Sequence, residues 1–228
     1  MSLREIEKLT QDKDCLYLLE KDREELEFLF GKDFAMMKGY SQNNPHHCYD
    51  LLEHTIRTVA AINCDGLSEN EAGELKIAAL YHDVGKPKVA FEKNGKTVFY
   101  NHAAESRKIA EEVLQKFNLE EDALNRILFY IEYHDAFISF KFSSEIKDKS
   151  NPFIIPIEKE TISNKIISIQ KECAEKNHYI PTHRDFLLLV KLSMADAEAQ
   201  SNEVFQNGVL IDSRTKKAER MKLIRSFI

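Results

Sequence analysis

Apolar residues recur at helical spacing along most of the chain. In residues 3–30 the positions Leu16, Leu19, Leu26, Leu29 and Phe30 stand among charges and predict one or two amphipathic helices. Gly31 and Gly39 bracket a short helical piece, Asp33 to Lys38. A helix is predicted from His46 to Asn63, with Tyr49, Leu52, Ile56, Val59 and Ala60 near one face. Ser68 is the candidate N-cap of the next, which buries Leu75, Ala78, Ala79 and Leu80 and runs to His82-Asp83, where Gly85 and Pro87 would stop it. A further helix opens at His102 with Ile109, Ala110, Val113, Leu114 and Phe117 as its stripe and Asn118 as its stop. Another carries Leu124, Ile127, Leu128 and Ile131 and ends at His134-Asp135. Ile162, Ile166 and Ile169 mark one more, and Phe186, Leu187, Leu189, Val190, Met194 and Ala197 the last long one, with Asp196 inside it.

The pattern changes period once. Asn94-Gly95 lies between Val89-Ala90-Phe91 and Thr97-Val98-Phe99-Tyr100, a hairpin signal. A short flap near 88–100 is expected, since nothing else in the chain looks able to extend it into a sheet. Ser41 to Pro45 reads as a loop, 141–157 as an exposed excursion, and Asn177 to Pro181 as a loop. The tail from Arg214 to Ile228 is basic and amphipathic, with its last turns expected to fray. The fold class is all-α, a helical bundle. Its 228 residues read as a single domain: a helical extension at 1–40, a core at 41–205 and a basic helical tail at 206–228.

Composition agrees with that picture. Seven glycines and five prolines are too few for the turns of an all-β domain, and 43% hydrophobic with 31% charged residues is ordinary for a globular protein. A net charge of -6 argues against a general nucleic-acid binder. The cysteines Cys15, Cys48, Cys64 and Cys173 form no CxxC pair and read as reduced thiols of a cytoplasmic protein. No apolar run approaches the ~18 residues of a membrane span, and no signal-peptide core follows Met1.

The polar exceptions carry the chemistry. His54, His82-Asp83, His102, His134-Asp135 and Asp196 each lie within, or at an end of, a helix whose other face is apolar. One buried histidine is most often a hydrogen-bonded core residue. Several on successive helices, two of them followed directly by Asp, suit a buried metal centre built from imidazole and carboxylate. Lys86 lies three past Asp83, where its point charge would meet a phosphate. His47 and His54 are two helical turns apart on the predicted helix, and Arg57 projects from the same side, so His47 and Arg57 are candidate substrate contacts.

In order and helical setting, His54, His82-Asp83, His102, His134 and Asp196, with Gly85-Lys86 extending the middle motif, resemble the HD-domain superfamily of metal-dependent phosphohydrolases. The segments Asn44-Pro45-His46-His47-Cys48-Tyr49-Asp50, Glu53-His54-Thr55 and Phe99-Tyr100-Asn101-His102-Ala103 are similar to one branch. That branch is the HD domain associated with bacterial tRNA nucleotidyltransferases and poly(A) polymerase-like proteins. The resemblance spans roughly residues 40–205. A nucleotidyltransferase head is not evident, because Asp12-Lys13-Asp14 lacks a preceding Gly-Ser. Alarmone hydrolases fit less well, since Gly85-Lys86-Pro87 stands where they carry Glu-Asp.

The resemblance implies one or two divalent ions (Mn, Fe, Ni, Co, Zn or Mg). A first would be held by His54, His82, Asp83 and Asp196. Asp83 would bridge to a second at His102 and His134, and a metal-bound water would attack phosphorus. Asp83, Lys86 and Asp135 are the implied catalytic groups, Asp135 either orienting a ligand histidine or protonating the leaving group. The substrate would be a phosphomonoester or phosphodiester, a nucleotide such as a 2′,3′-cyclic nucleotide being the first to try. The competing expectation is a metal-binding module without turnover, with a regulatory role or an RNA-binding one. The RNA reading rests on Arg214, Lys216, Lys217, Arg220, Lys222 and Arg225. No partner protein or oligomeric state is indicated.

Overall fold

The computed structural model describes residues 15–43, 48–146, 151, 154–200, 204–206, 209–211 and 213–228. His46, His47 and Asp12 to Asp14 therefore lie outside the described residues.

The fold is all-α with small strand pairs. After a 3₁₀ turn at Cys15–Glu20 come α1 (Arg23–Phe30) and α2 (Lys32–Ala35), then α3 (Leu51–Ala60) and α4 (Glu69–Tyr81). A short α5 (Lys86–Val89) leads into the hairpin β1 (Phe91–Lys93) and β2 (Lys96–Val98), followed by α6 (His102–Leu114) and α7 (Glu121–Tyr133). Strands β3 (Phe140–Lys141) and β4 (Ile155–Pro156) pair in parallel, and α8 (Lys159–Asn177) and α9 (His183–Glu198) follow. The antiparallel pair β5 (Val204–Gln206) and β6 (Val209–Ile211) precedes α10 (Ser213–Phe227).

Local chemistry sets the helix boundaries. The predicted helix from His46 begins instead at Leu51. The Asp50 carboxylate accepts from the Glu53 N–H at 2.7 Å and from the Gly39 N–H at 2.8 Å, so one side chain caps α3 and pins the preceding turn. Ser68 does cap α4, in a capping box with Glu71, and Thr182 with Asp185 forms the same device on α9. At the hairpin, Asn94 and Gly95 take φ of 53° and 71°, the left-handed pair that a two-residue turn between twisted strands needs.

α4 is the central helix. Leu75, Ile77, Ala78, Ala79, Leu80 and Tyr81 are all buried, and only Lys76 is partly exposed along its C-terminal half. It packs against α3 and α7, α6 lies on α7, and α9 closes the bundle against α3, α7 and α10. A single hydrophobic core runs from Cys15 and Leu18 to Met221 and Ile224, so the described parts of both terminal segments share it.

Two expectations are corrected. The 141–157 segment is anchored at its ends: Phe140 and Ile157 are buried, and Glu145 is held bidentately by Arg220 at 2.6 and 2.9 Å. The C-terminal segment is a helix, as its amphipathic spacing predicts, but its last turns are docked rather than frayed, with Met221 and Ile224 in the core.

Candidate metal centre

α4 ends at Tyr81, and His82 and Asp83 stand in the turn that follows. Pro87 does not merely stop α4; it occupies the first turn of α5, where a missing N–H costs nothing. The turn is pressed onto the start of α6 at Gly85. A Cβ there would lie 2.6 Å from the Ser106 nitrogen and 2.8 Å from the His102 carbonyl oxygen, both backbone atoms. The Gly85 N–H donates to Ser106 Oγ at 2.9 Å. That close approach brings the His82-Asp83 turn beside His102.

Five elements thus converge: His54 from α3, His82-Asp83 after α4, His102 at the start of α6, His134-Asp135 after α7 and Asp196 from α9. His54, His82, Asp83, His134 and Asp196 are buried. Each imidazole is oriented by the backbone. His82 Nδ1 lies 2.7 Å from the Ala79 carbonyl, His134 Nδ1 2.7 Å from that of Ile131, and His102 Nδ1 2.9 Å from that of Phe99. His54 Nδ1 faces the Ala199 carbonyl at 3.4 Å. A carbonyl only accepts, so each Nδ1 carries a proton, and Nε2 is the ring nitrogen turned to the centre. At the ends of α4 and α7 those carbonyls are in the last turn, where no helical N–H remains to satisfy them. The orienting role considered for Asp135 is therefore taken by main-chain oxygens.

The carboxylates stand between the imidazoles. Asp83 Oδ2 is 3.2 Å from His82 Nε2 and 3.6 Å from His54 Nε2. Its other oxygen, Oδ1, is 3.3 Å from His102 Nε2 and 3.6 Å from His134 Nε2. Asp196 Oδ1 is 3.0 Å from His54 Nε2 and 4.0 Å from His82 Nε2. Asp135 Oδ2 lies 3.3 and 3.6 Å from the Nε2 atoms of His102 and His134, which are themselves 3.2 Å apart. Three overlapping groups are compact enough to hold an ion: His54 with His82 and Asp196, His82 with Asp83 and His134, and His102 with His134 and Asp135.

This donor set fits a divalent cation. Among the described residues His82 Nε2 and Asp83 Oδ1 are buried with no hydrogen-bond partner, which is costly for atoms of their polarity unless a cation takes their lone pairs. The protein's own charges are strained accordingly. Burial pushes the Asp83 carboxyl up, but His82 and Lys86 outweigh it and hold the group well below the usual range. Asp196 is lowered likewise, with Lys217 and His54 overcoming burial. Burial alone would lower His134, yet Asp135 and Asp83 raise it to about 9.

Lys86 is turned inward. Its ammonium donates to Asp83 Oδ2 at 2.6 Å and to Gln42 Oε1 at 2.9 Å. It is neither solvated nor free, although it still lines the cavity over the centre. Arg57 is not brought to the cluster: its guanidinium is bound to Glu53 at 2.7 Å and stacked over Tyr49 at 4.3 Å, which corrects the substrate-contact expectation. Of the basic C-terminal residues, Lys217 reaches Asp196 and Arg220 reaches Glu145, so the inferred RNA-facing surface loses two of its members.

A cavity of about 280 Å³ opens over the centre, lined by Asp83, Lys86, His102, His134, Asp135 and Asp196, by β2 and the residues after it (Thr97 to Tyr100), and by Ile138, Gln200 and Lys217. Sequence reasoning missed Gln42 and Lys217. A usable signal existed for Lys217, which precedes the core residues Met221 and Ile224 by four and seven positions and so shares their helical face.

An all-α bundle with imidazoles and carboxylates converging on one cavity defines a helical metal-binding domain. The family model for the HD domain matches residues 51–170, more than half the chain, and the chain belongs to that family, within a superfamily of metal-dependent phosphohydrolases. No curated protein matches it. Among the described residues no helix is long and apolar enough to cross a membrane.

Proposed function

We propose that the protein hydrolyses a phosphate ester of a small molecule, a nucleotide such as a 2′,3′-cyclic nucleotide being the first candidate. One observation carries this: the two oxygens of Asp83 face different histidine pairs, Oδ2 toward His54 and His82, Oδ1 toward His102 and His134. A lone structural carboxylate needs no such division, whereas one shared between two cations does. His54, His82, Asp83 and Asp196 would hold one ion, and Asp83, His102, His134 and Asp135 a second. Bound there, divalent ions supply Lewis acidity toward phosphoryl oxygens and bring the pKa of water toward neutrality.

The chain's own residues do the rest. The backbone carbonyls hold every Nδ1–H, so the imidazoles meet the ions without reorganising. Lys86 orients Asp83 and keeps it ionised. Asp135 lies at the cavity, and the neighbouring His134 and His102 overcome the effect of burial to hold its carboxyl below the ordinary range. At that position Asp135 would serve as a ligand of the second ion or pass a proton to the leaving group. A cavity of about 280 Å³ is the size for one small ester, and residues 97–100 from the hairpin side are placed to select it. The choice of nucleotides draws on the similarity to the branch associated with tRNA nucleotidyltransferases and is an analogy of site residues.

The test is release of p-nitrophenol from bis-p-nitrophenyl phosphate with Mn, Ni, Co or Mg, followed by 2′,3′-cyclic nucleotides and nucleoside monophosphates. Turnover lost in Asp83→Asn is expected. No release with any metal, beside a working control hydrolase, would leave a metal-binding module without catalysis.

A further inference from the structure

The residue least explained by the metal centre is Lys217. It comes from α10, beyond the matched family region, yet its side chain is only 12% exposed and its ammonium contacts Asp196 Oδ2. The other oxygen of the same carboxylate faces His54 at 3.0 Å. Its helix is fixed in rotation by Met221 and Ile224 in the core and by the bidentate Arg220–Glu145 pair. Lys217 therefore reaches the cavity through a rigid support.

Burying an ammonium is expensive unless it is paired. Around this cavity the carboxylates of Asp83, Asp135 and Asp196 outnumber the ammonium groups of Lys86 and Lys217 by one. With the imidazoles neutral, as metal ligands must be, a single divalent ion already turns the balance positive. The two lysines differ in what holds them. Lys86 is tied to both Asp83 and Gln42, in the same turn as its carboxylate partner. Lys217 comes from a separate helix, and among the described residues its hydrogen bond is to Asp196 alone.

We propose that Lys217 is the anion-binding residue of the site, resting on Asp196 until that carboxylate turns to a cation and then taking an oxygen of the substrate's phosphoryl group. This rests on the metal-centre reading above and adds to it a phosphate ligand supplied by the C-terminal helix. It gives that helix a function in substrate binding, beyond packing.

Inorganic phosphate is the probe, titrated calorimetrically into wild type, Lys217→Gln and Lys217→Arg, each first titrated with Mn²⁺. Gln keeps a hydrogen bond to Asp196 without the charge, and circular dichroism melts check that each variant is folded. Lys217→Gln should bind Mn²⁺ as tightly as wild type or tighter. It should bind phosphate about ten- to a hundredfold more weakly, the worth of one charge-assisted hydrogen bond. Lys217→Arg should recover most of that loss. Unchanged phosphate affinity in manganese-loaded Lys217→Gln would overturn the assignment and leave Lys217 a countercharge, and so would failure of both variants to fold or to hold Mn²⁺. Failure of wild type to bind Mn²⁺ would instead overturn the metal centre itself, and the anion site with it.

Discussion

At the scale of single residues, the division of labour within Asp83 makes a prediction about stoichiometry. Its Oδ2 meets His54 and His82, and its Oδ1 meets His102 and His134. If wild type takes up two ions per chain, as proposed, His102→Ala should leave one, while His82→Ala with Asp83→Ala should hold none. Elemental analysis of dialysed protein decides it; full metal content in the double variant would mean the site is misplaced. Gly85 offers a second test. Its backbone dihedrals are ordinary, so the demand for glycine is purely steric: a methyl group would lie 2.6 Å from a backbone nitrogen of α6. Gly85→Ala should cost about 1–3 kcal/mol, a fall of several degrees in melting temperature, and should weaken the ion at His102 more than the one at His54. The histidines and aspartates were legible in the sequence because each interrupts an apolar stripe. The need for Gly85 was not, since a helix stop and a close backbone contact call for the same residue.

At the scale of elements, a surface contact between α4 and α9 shows how helix ends are tied. Arg184, in the first turn of α9, bonds Glu71 at 2.7 Å and the Gly66 carbonyl at 2.9 Å, and Glu71 also closes the Ser68 capping box. Arg184, with Ser68 assisting against burial, holds the Glu71 carboxyl at about 2, below its ordinary 4.5. A depressed carboxylate contributes stability above its unfolded value and loses it as pH falls through the folded one. Arg184→Ala should thus lower the melting temperature slightly at neutral pH, by less than about 1 kcal/mol for so exposed a pair. The difference from wild type should shrink below pH 4.5 and vanish near 2; a gap that persists in acid would assign the effect to the Gly66 contact alone. Helix existence was readable from apolar spacing throughout, and the hairpin from Asn94-Gly95. Boundaries set by tertiary contact were not: α3 starts at Leu51 because Asp50 serves two backbone donors at once. The C-terminal helix was readable as amphipathic, but its spacing could not show that Met221 and Ile224 dock its last turns in the core.

For the whole molecule, the same residues that close the bundle leave it electrostatically unfinished. Imidazole and carboxylate groups from α3, α6, α9 and the turns after α4 and α7, all buried but the half-buried His102 and Asp135, meet where apolar side chains would otherwise pack, and among the described residues His82 Nε2 and Asp83 Oδ1 have no hydrogen-bond partner there. Such an arrangement costs folding free energy, and a cation that binds only the folded chain returns it. At a free concentration about a hundredfold above its dissociation constant, a single ion adds about 2.7 kcal/mol. For a chain of this size that corresponds to roughly 5–10 °C in melting temperature. Stripping with a chelator should therefore lower the transition by that order, and Mn²⁺ should restore it in proportion to the logarithm of its concentration. His82→Ala with Asp83→Ala should melt at a temperature indifferent to metal, because the shared carboxylate and one imidazole are gone. An equal shift in that double variant would place the stabilising ion elsewhere on the protein. No shift in wild type would mean that the convergence of five elements on Asp83 serves packing alone.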